Sequence, residues 1–311
     1  MPDESVVQVD NLHRHYGGTH ALKGVTFRLP RGEVLGLLGP NGAGKTTTLR
    51  LLSGVLAPSS GNVFIFGKSM RSSPKACKAR LGYLPENPPL YPELTVDEYL
   101  KYCARLRRIP SVDVAACVEV AKTRCGLSQS GKRLISNLSK GYKQRVGIAQ
   151  AIVHSPPLVI LDEPTAGLDP NQIREIRALI AELRERHSVI LSTHILGEAQ
   201  AICDRIQIIH NGTLVLNQTL KDMQGNREQC LRVGFTRPPD ASTIKNLPTV
   251  EHVDALDYGY FKIRCRSRET LTEALLAEAT RHKWGLVELT PEHDTLEELF
   301  ARLTAGNSAQ S

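Results

Sequence analysis

Two stretches of this chain combine residue types and spacings that handle phosphate. Gly39-Pro40-Asn41-Gly42-Ala43-Gly44-Lys45-Thr46-Thr47 reads G-x-x-x-x-G-K-[ST]. Its glycines let the backbone wrap so that successive N–H groups face phosphate oxygens. Lys45 reaches the β- and γ-phosphates, and the Thr46 hydroxyl can ligate magnesium. The second stretch, Leu158-Val159-Ile160-Leu161-Asp162-Glu163, is an apolar run that ends abruptly in two acids. An unpaired buried carboxylate is costly, so a pair at such a place is expected to be used. Asp162 can hold a magnesium cluster through water and Glu163 can polarise an attacking water, a division of labour that suits phosphoryl transfer. Solvent-facing strand-end carboxylates, or acids capping a turn, are the plainer alternative.

Three further positions could join them. His194 follows Leu191-Ser192-Thr193, where a neutral imidazole at a strand end can bridge a phosphate oxygen and the water on Glu163, or can be a satisfied core histidine. Ser139-Lys140-Gly141 opens a helix whose free N–H groups and dipole could hold a second phosphate, although any capped helix starts in this way. Tyr16 precedes Gly17-Gly18, so its ring is expected to be partly exposed, free to stack on an adenine or to be an ordinary hairpin tyrosine.

The elements that position these residues follow from the hydrophobic pattern. Val6 to Val9 and Val25 to Leu29 alternate apolar and polar residues, which predicts an antiparallel β-layer at the start. Glu33 to Leu38 reads as a buried strand leading into the phosphate loop, and Thr46 to Leu52 as the helix after it. Strands follow at Asn62 to Gly67 and Leu81 to Glu86. Thr95-Val96-Asp97-Glu98 is a capping box, Pro110 stops its helix, and Ser111 is expected to cap a second one running toward Cys125-Gly126. Asp169-Pro170 starts a helix with Ile173, Ile176, Leu179, Ile180 and Leu183 on one face, and Ser188 to Ser192 is a further apolar strand. The βα alternation argues for a mainly parallel sheet with a helical insertion. From about residue 225 the order becomes β-α-β-β-α-β, that of a ferredoxin-like domain. A last helix is expected over Thr295 to Leu303, with a disordered tail at 305–311.

Composition bounds the reading. A chain of 311 residues that is 41% hydrophobic can bury two cores. The seven cysteines are scattered with no C-x-x-C pair, as expected of reduced core residues in a cytosolic protein. No apolar run approaches the ~18 residues needed to span a bilayer, and Met1-Pro2-Asp3-Glu4-Ser5 lacks the features of a signal peptide. Residues 225–311 hold 11 Lys+Arg and 13 Asp+Glu, so of the net +7 the first 224 residues carry +9. Such a surplus suits a nucleic-acid surface, an anionic membrane face or a polyphosphate handler alike.

Gly39 to Thr47, Leu138-Ser139-Lys140-Gly141-Tyr142, Leu158 to Glu163, Ala166-Gly167-Leu168-Asp169 and Thr193-His194, in that order, resemble the ATP-binding subunit of an ABC transporter over roughly residues 5 to 220. Tyr83-Leu84-Pro85-Glu86, the Leu-Ser-Lys-Gly-Tyr form and the C-terminal extension are most similar to the ABC-2 type export ATPases, including the gliding-motility and copper or nitrous-oxide-reductase accessory groups. The resemblance implies an α/β P-loop NTPase cassette over 1–224, with a RecA-like mainly parallel sheet, an antiparallel β-layer and a helical subdomain at about 88–150. A small α+β ferredoxin-like domain follows at 225–304.

By the same resemblance Tyr16 stacks on adenine, Gly39 to Thr47 is the Walker A loop, and Glu86 takes the Q-loop position near the metal. Ser139 and Gly141 belong to the signature. Asp162 is the Walker B acid, Glu163 the catalytic base, Asp169 the D-loop acid and His194 the γ-phosphate switch, with Lys45 as a third catalytic group. It also implies ATP and Mg2+, a homodimer or paired ATPase subunit with ATP at the interface, and a separate integral membrane permease. The chain would then sit peripherally on the cytoplasmic face of the inner membrane, with no nucleic acid expected. Glu86 stands where the family usually has glutamine, Lys140 replaces the usual middle glycine of the signature, and Tyr142 replaces its usual glutamine. A soluble ABC ATPase acting on nucleic acid or ribosomes is the alternative that the basic charge allows. For the C-terminal domain, a regulatory or dimer-stabilising role stands beside that of an extra fold packed on the core.

Overall fold

Tyr16 pairs with Thr19 across the Gly17-Gly18 turn, closing the hairpin formed by β1 (Ser5–Tyr16) and β2 (Thr19–Pro30). This is the predicted opening β-layer, with both strands longer than the alternation alone suggests. In the computed structural model, residues 5–225, 230–292 and 298–301 are described. Contacts divide the chain into two units between Thr219 and Leu220.

In the first unit the hairpin is followed by β3 (Val34–Leu38), α1 (Lys45–Leu52), β4 (Ser60–Ile65), β5 (Lys68–Ser69), α2 (Pro74–Lys78) and β6 (Leu81–Leu84). The helical insertion supplies α3 (Val96–Leu106), α4 (Val114–Arg124) and α5 (Lys140–Ile152). The chain then returns through β7 (Leu158–Leu161), α6 (Pro170–Arg184), β8 (Ser188–Thr193), α7 (Leu196–Ile202), β9 (Arg205–His210) and β10 (Thr213–Thr219).

Among the described residues this unit forms an antiparallel sheet in the order β2-β1-β4-β5 and a six-stranded sheet in the order β10-β9-β3-β8-β7-β6. The larger sheet is parallel except where β10 pairs antiparallel with β9. Every residue of β3, β7 and β8 is buried, as expected of strands covered on both faces. These three strands are neighbours, with Leu38 beside Thr193 and Leu161 beside Leu191. Their carboxyl ends therefore bring the phosphate loop, the two acids and His194 to one edge, the usual ligand edge of an open α/β sheet.

The capping box at α3 is present: the Thr95 N–H donates to Glu98 Oε2 at 2.8 Å and the Glu98 N–H to Thr95 Oγ1 at 3.3 Å. Lys122, buried on α4, ties the insertion together by reaching Asp97 on α3 at 2.6 Å and Glu119 at 2.8 Å. The expected Ser111 cap is corrected, because the N-cap of α4 is Asp113. The Asp113 N–H donates to Pro110 O at 2.9 Å, so Ser111 is spent in a turn before the helix begins.

The second unit comprises α8 (Leu220–Gly225), β11 (Cys230–Phe235), α9 (Ala241–Lys245), β12 (Val250–Ala255), β13 (Tyr260–Cys265), α10 (Arg268–Arg281) and β14 (Leu286–Glu292). Its antiparallel sheet has the order β12-β13-β11-β14, the ferredoxin-like arrangement that the element order predicted. Leu231, Val233, Phe261 and Ile263 on the central strands and Leu271 and Leu275 on α10 make its core, sealed where Trp284 packs edge-on to Phe235 at 5.6 Å. The chain is helical at 298–301. The rest of the expected last helix, the tail at 305–311 and residues 1–4 lie outside the described residues.

Candidate functional site

The phosphate loop is squeezed between two strands, and this dictates its glycines. Gly39 has φ +157°, and a Cβ there would lie 2.3 Å from the Ile209 carbonyl of β9. Gly44, at φ +113°, would put a Cβ 2.7 Å from Leu22 Cδ2 of β2. Only a residue without a side chain lets the loop pass and deliver Lys45 to the first turn of α1. Lys45 is buried, and its Nζ donates to Gly39 O at 2.8 Å and lies 3.4 Å from Glu163 Oε1.

Asp162 is 1% exposed at the end of β7. Its Oδ1 accepts from the Thr46 hydroxyl at 3.2 Å and from the Ser192 hydroxyl at 2.7 Å. Burial pushes its pKa above the usual carboxylate range; these two hydrogen bonds pull the other way, and the charges of Glu86 and Glu163 add to the rise. Its other oxygen, Oδ2, is buried with no hydrogen-bond partner among the described residues. A cation opposite that oxygen would relieve the strain, and the hard oxygen donors of Thr46 and Asp162 suit magnesium.

Glu163 is held from three sides. Its N–H donates to Ser192 Oγ at 2.8 Å, its Oε1 faces Lys45, and its Oε2 lies 2.9 Å from His194 Nδ1. Its backbone has φ +47°, a left-handed conformation that costs a residue with a side chain on the order of 1–3 kcal/mol. The turn that carries this strain swings the carboxylate away from the strand direction and over the phosphate loop. Burial also acts on Tyr83, next to Asp162 in β6: its phenol is pushed up to about 12 by desolvation and by the Asp162 charge.

Together these residues wall a cleft of about 390 Å³ lined by Pro40 to Gly42, Gly44 to Thr47, Glu86, Glu163, Ala166, His194 and, from the hairpin, Ala21. The structure thus brings the predicted loop, Glu86, Glu163 and His194 to one cleft, with Asp162 behind its wall, bonded to Thr46. Tyr16, Ser139, Gly141 and Asp169 do not line the cleft. Tyr16 is 42% exposed with the Arg14 guanidinium 4.7 Å from its ring centroid. Ser139 is the N-cap of α5, accepting from the Tyr142 N–H, and Asp169 is the N-cap of α6, accepting from the N–H groups of Asn171 and Gln172. Gly141 is packed so closely that a Cβ would meet the Gln172 side chain of α6 at 2.5 Å, and the Lys140 ammonium lies over Gly167. The signature start and the Asp169 turn are therefore one surface, apart from the cleft.

Two residues were missed. Ser192 bridges Asp162 and the Glu163 N–H, and Glu198 binds the hydroxyls of Thr165 and Thr193 at 2.7 and 3.0 Å. A hydroxyl closing an otherwise apolar strand, and an acid four residues after His194, were the available signals.

The family model described as ABC transporter matches residues 22–166. Linearmycin resistance ATP-binding protein LnrL of Bacillus subtilis is 32% identical over 96% of this chain and 98% of its own length. The chain belongs to the ABC transporter ATP-binding family. A second relative, bacitracin transport ATP-binding protein BcrA of Bacillus licheniformis, is 33% identical over 98% of the chain and 99% of its own length. A solved ATP-binding subunit of an ABC transporter aligns with a TM-score of 0.64 at 34% identity, covering 71% of this chain and 92% of that one. The structure of cbiO1 from Clostridium perfringens, part of the ABC transporter complex cbiONQ, gives 0.65 at 31% identity over 71% and 91%. This ABC protein is thus an ATP-binding transport ATPase, which favours transport over the nucleic-acid reading of its basic charge. Among the described residues no helix is long and apolar enough to cross a membrane.

Proposed function

We propose that this subunit hydrolyses ATP with Glu163 as the base and His194 as its positioning partner, in a site completed by Ser139 to Tyr142 of a second copy. The observation that carries the reading is the triple hold on Glu163, from Ser192, Lys45 and His194, beside a cleft rich in phosphate-binding groups. Lys45 and the loop N–H groups bind the triphosphate, Glu163 accepts a proton from the attacking water, and His194 orients that carboxylate while its exposed edge meets the γ-phosphate. Thr46 and Asp162 would hold Mg2+ with Glu86 nearby, and the ion would supply charge neutralisation on the phosphates. Among the described residues no group of three or more His, Cys, Asp or Glu could hold a metal ion, so phosphate and water oxygens would complete the shell.

The second copy supplies what the cleft lacks. Ser139, Gly141 and Asp169 are built as capped helix starts on a surface of their own, and a head-to-tail pair would set that surface over a neighbour's cleft. Tyr16 stacks on adenine at the rim. The dimer drives an integral membrane permease from the cytoplasmic face of the membrane and powers export, as the names of the resistance and transport relatives suggest. Those relatives span 96% and 98% of this chain, whereas the two solved subunits cover 71% of it, so the C-terminal unit is shared with the former. We assign that unit a regulatory or dimer-stabilising part.

Sedimentation velocity of Glu163→Gln with and without MgATP tests the proposal. The expected result is a doubling of mass when ATP is added. A monomer at saturating ATP would overturn the two-copy site.

A further inference from the structure

Glu198 is an acid that is 2% exposed and no part of the cleft wall. A carboxylate so placed is expensive unless each of its partners returns something. Its Oε2 accepts from the Thr165 hydroxyl at 2.7 Å and from the Thr193 hydroxyl at 3.0 Å. Thr165 lies two residues after Glu163, and Thr193 directly precedes His194. Thr193 in turn accepts from the Ile195 N–H at 3.0 Å, so the chain on either side of His194 is bound to the same hydroxyl. Its Oε1 faces Arg177 of α6 at 3.8 Å, beyond hydrogen-bond length, and has no hydrogen-bond partner among the described residues.

We propose that Glu198 is a positioning residue that fixes the distance between the Glu163 turn and the His194 turn by clasping one hydroxyl from each. Glu163 sits on a left-handed backbone and His194 is half exposed. Neither side chain would keep its 2.9 Å contact if the two turns drifted apart. One carboxylate oxygen shared by two hydroxyls sets that spacing with little slack, while Arg177 supplies the opposing charge. The clasp acts through His194 from outside the cleft wall. This inference rests on the reading of Glu163 and His194 as base and partner.

The test is a double-mutant cycle on ATP turnover by the full chain, with nucleotide affinity and thermal stability measured alongside. Glu198→Ala is expected to lower kcat about ten- to a hundredfold while KM for ATP changes less than about threefold. Glu198→Gln keeps an acceptor oxygen for both hydroxyls and is expected to recover most of that loss. Thr193→Val, nearly isosteric, is expected to reproduce the Glu198→Ala defect at folded-protein yields close to wild type. In a His194→Ala background, Glu198→Ala is expected to add less than about twofold. Full additivity in that background, or a loss confined to KM or to stability, overturns the clasp. If His194→Ala alone leaves turnover intact, the reading of His194 fails instead, so the two failures are distinguishable.

Discussion

The two halves of the nucleotide site are built in opposite ways. On the cleft side, Lys45, Asp162, Glu163 and His194 are linked to one another and to Ser192 by contacts of 2.7 to 3.4 Å, and all but His194 are buried. On the signature side, Ser139 and Asp169 are exposed and, among the described residues, bond only to the backbone of their own helix starts. Preorganisation is spent where charge must be held in fixed geometry. In the proposed pair the other half would stay free to arrive with a second molecule and to leave after hydrolysis. A helix N-terminus needs no further construction to meet an anion.

That contrast can be broken at several points. The largest expected effect is from Glu163→Gln, which removes the base but keeps its shape: kcat should fall about 10² to 10³-fold with ATP affinity retained, as read by phosphate release and by equilibrium nucleotide binding. His194→Ala should cost about 10²-fold in kcat, again with binding retained. Ser139→Arg strikes the other half and should separate the two functions. One molecule should still bind ATP as tightly as wild type, while turnover falls tenfold or more, roughly the cost of blocking a docking contact. If Ser139→Arg weakens ATP binding by a single molecule, the two halves are not separate. Ser192→Ala should have a milder effect, about tenfold on kcat, because it leaves the Glu163 N–H without its acceptor.

The smallest effect concerns stability away from both halves. His154, half-buried just past the end of α5, donates from Nε2 to Leu81 O at 3.2 Å, and desolvation lowers its pKa to about 4. A histidine depressed in the folded state gives stability that is present above its unfolded value and is lost as pH falls toward the folded one. Acidification from pH 7 to pH 5 should therefore cost on the order of 2 kcal/mol through this residue. Thermal melts of His154→Gln should be flatter over that window. A wild-type melting temperature independent of pH between 7 and 5 would contradict this.

Much of this was legible in the sequence because local rules and tertiary needs agree. The phosphate loop, the acids after an apolar run and the Thr95 capping box are each written in contiguous residues, and all three form as expected. So does the ferredoxin-like order of the second unit. The Ser111 cap failed because Pro110 through Asp113 closes a turn first, and propensity alone does not say at which of two nearby polar residues the helix begins. Ser192 and Glu198 were harder to read for a different reason. Asp162 lies 30 residues from Ser192 and Thr165 lies 33 from Glu198, and the adjacency of β7 and β8 brings these distant partners into contact.

The central claim, that a working site takes its two halves from two molecules, is tested most directly by mixing two inactive variants. Lys45→Ala disables the cleft and Ser139→Arg the opposite surface. A mixed pair would join the intact cleft of one to the intact signature of the other. Equal amounts of the two proteins, silent when separate, should together recover up to about a quarter of wild-type ATP turnover, since half of randomly formed pairs are mixed and each holds one intact site of two. A mixture as silent as its components would contradict the account.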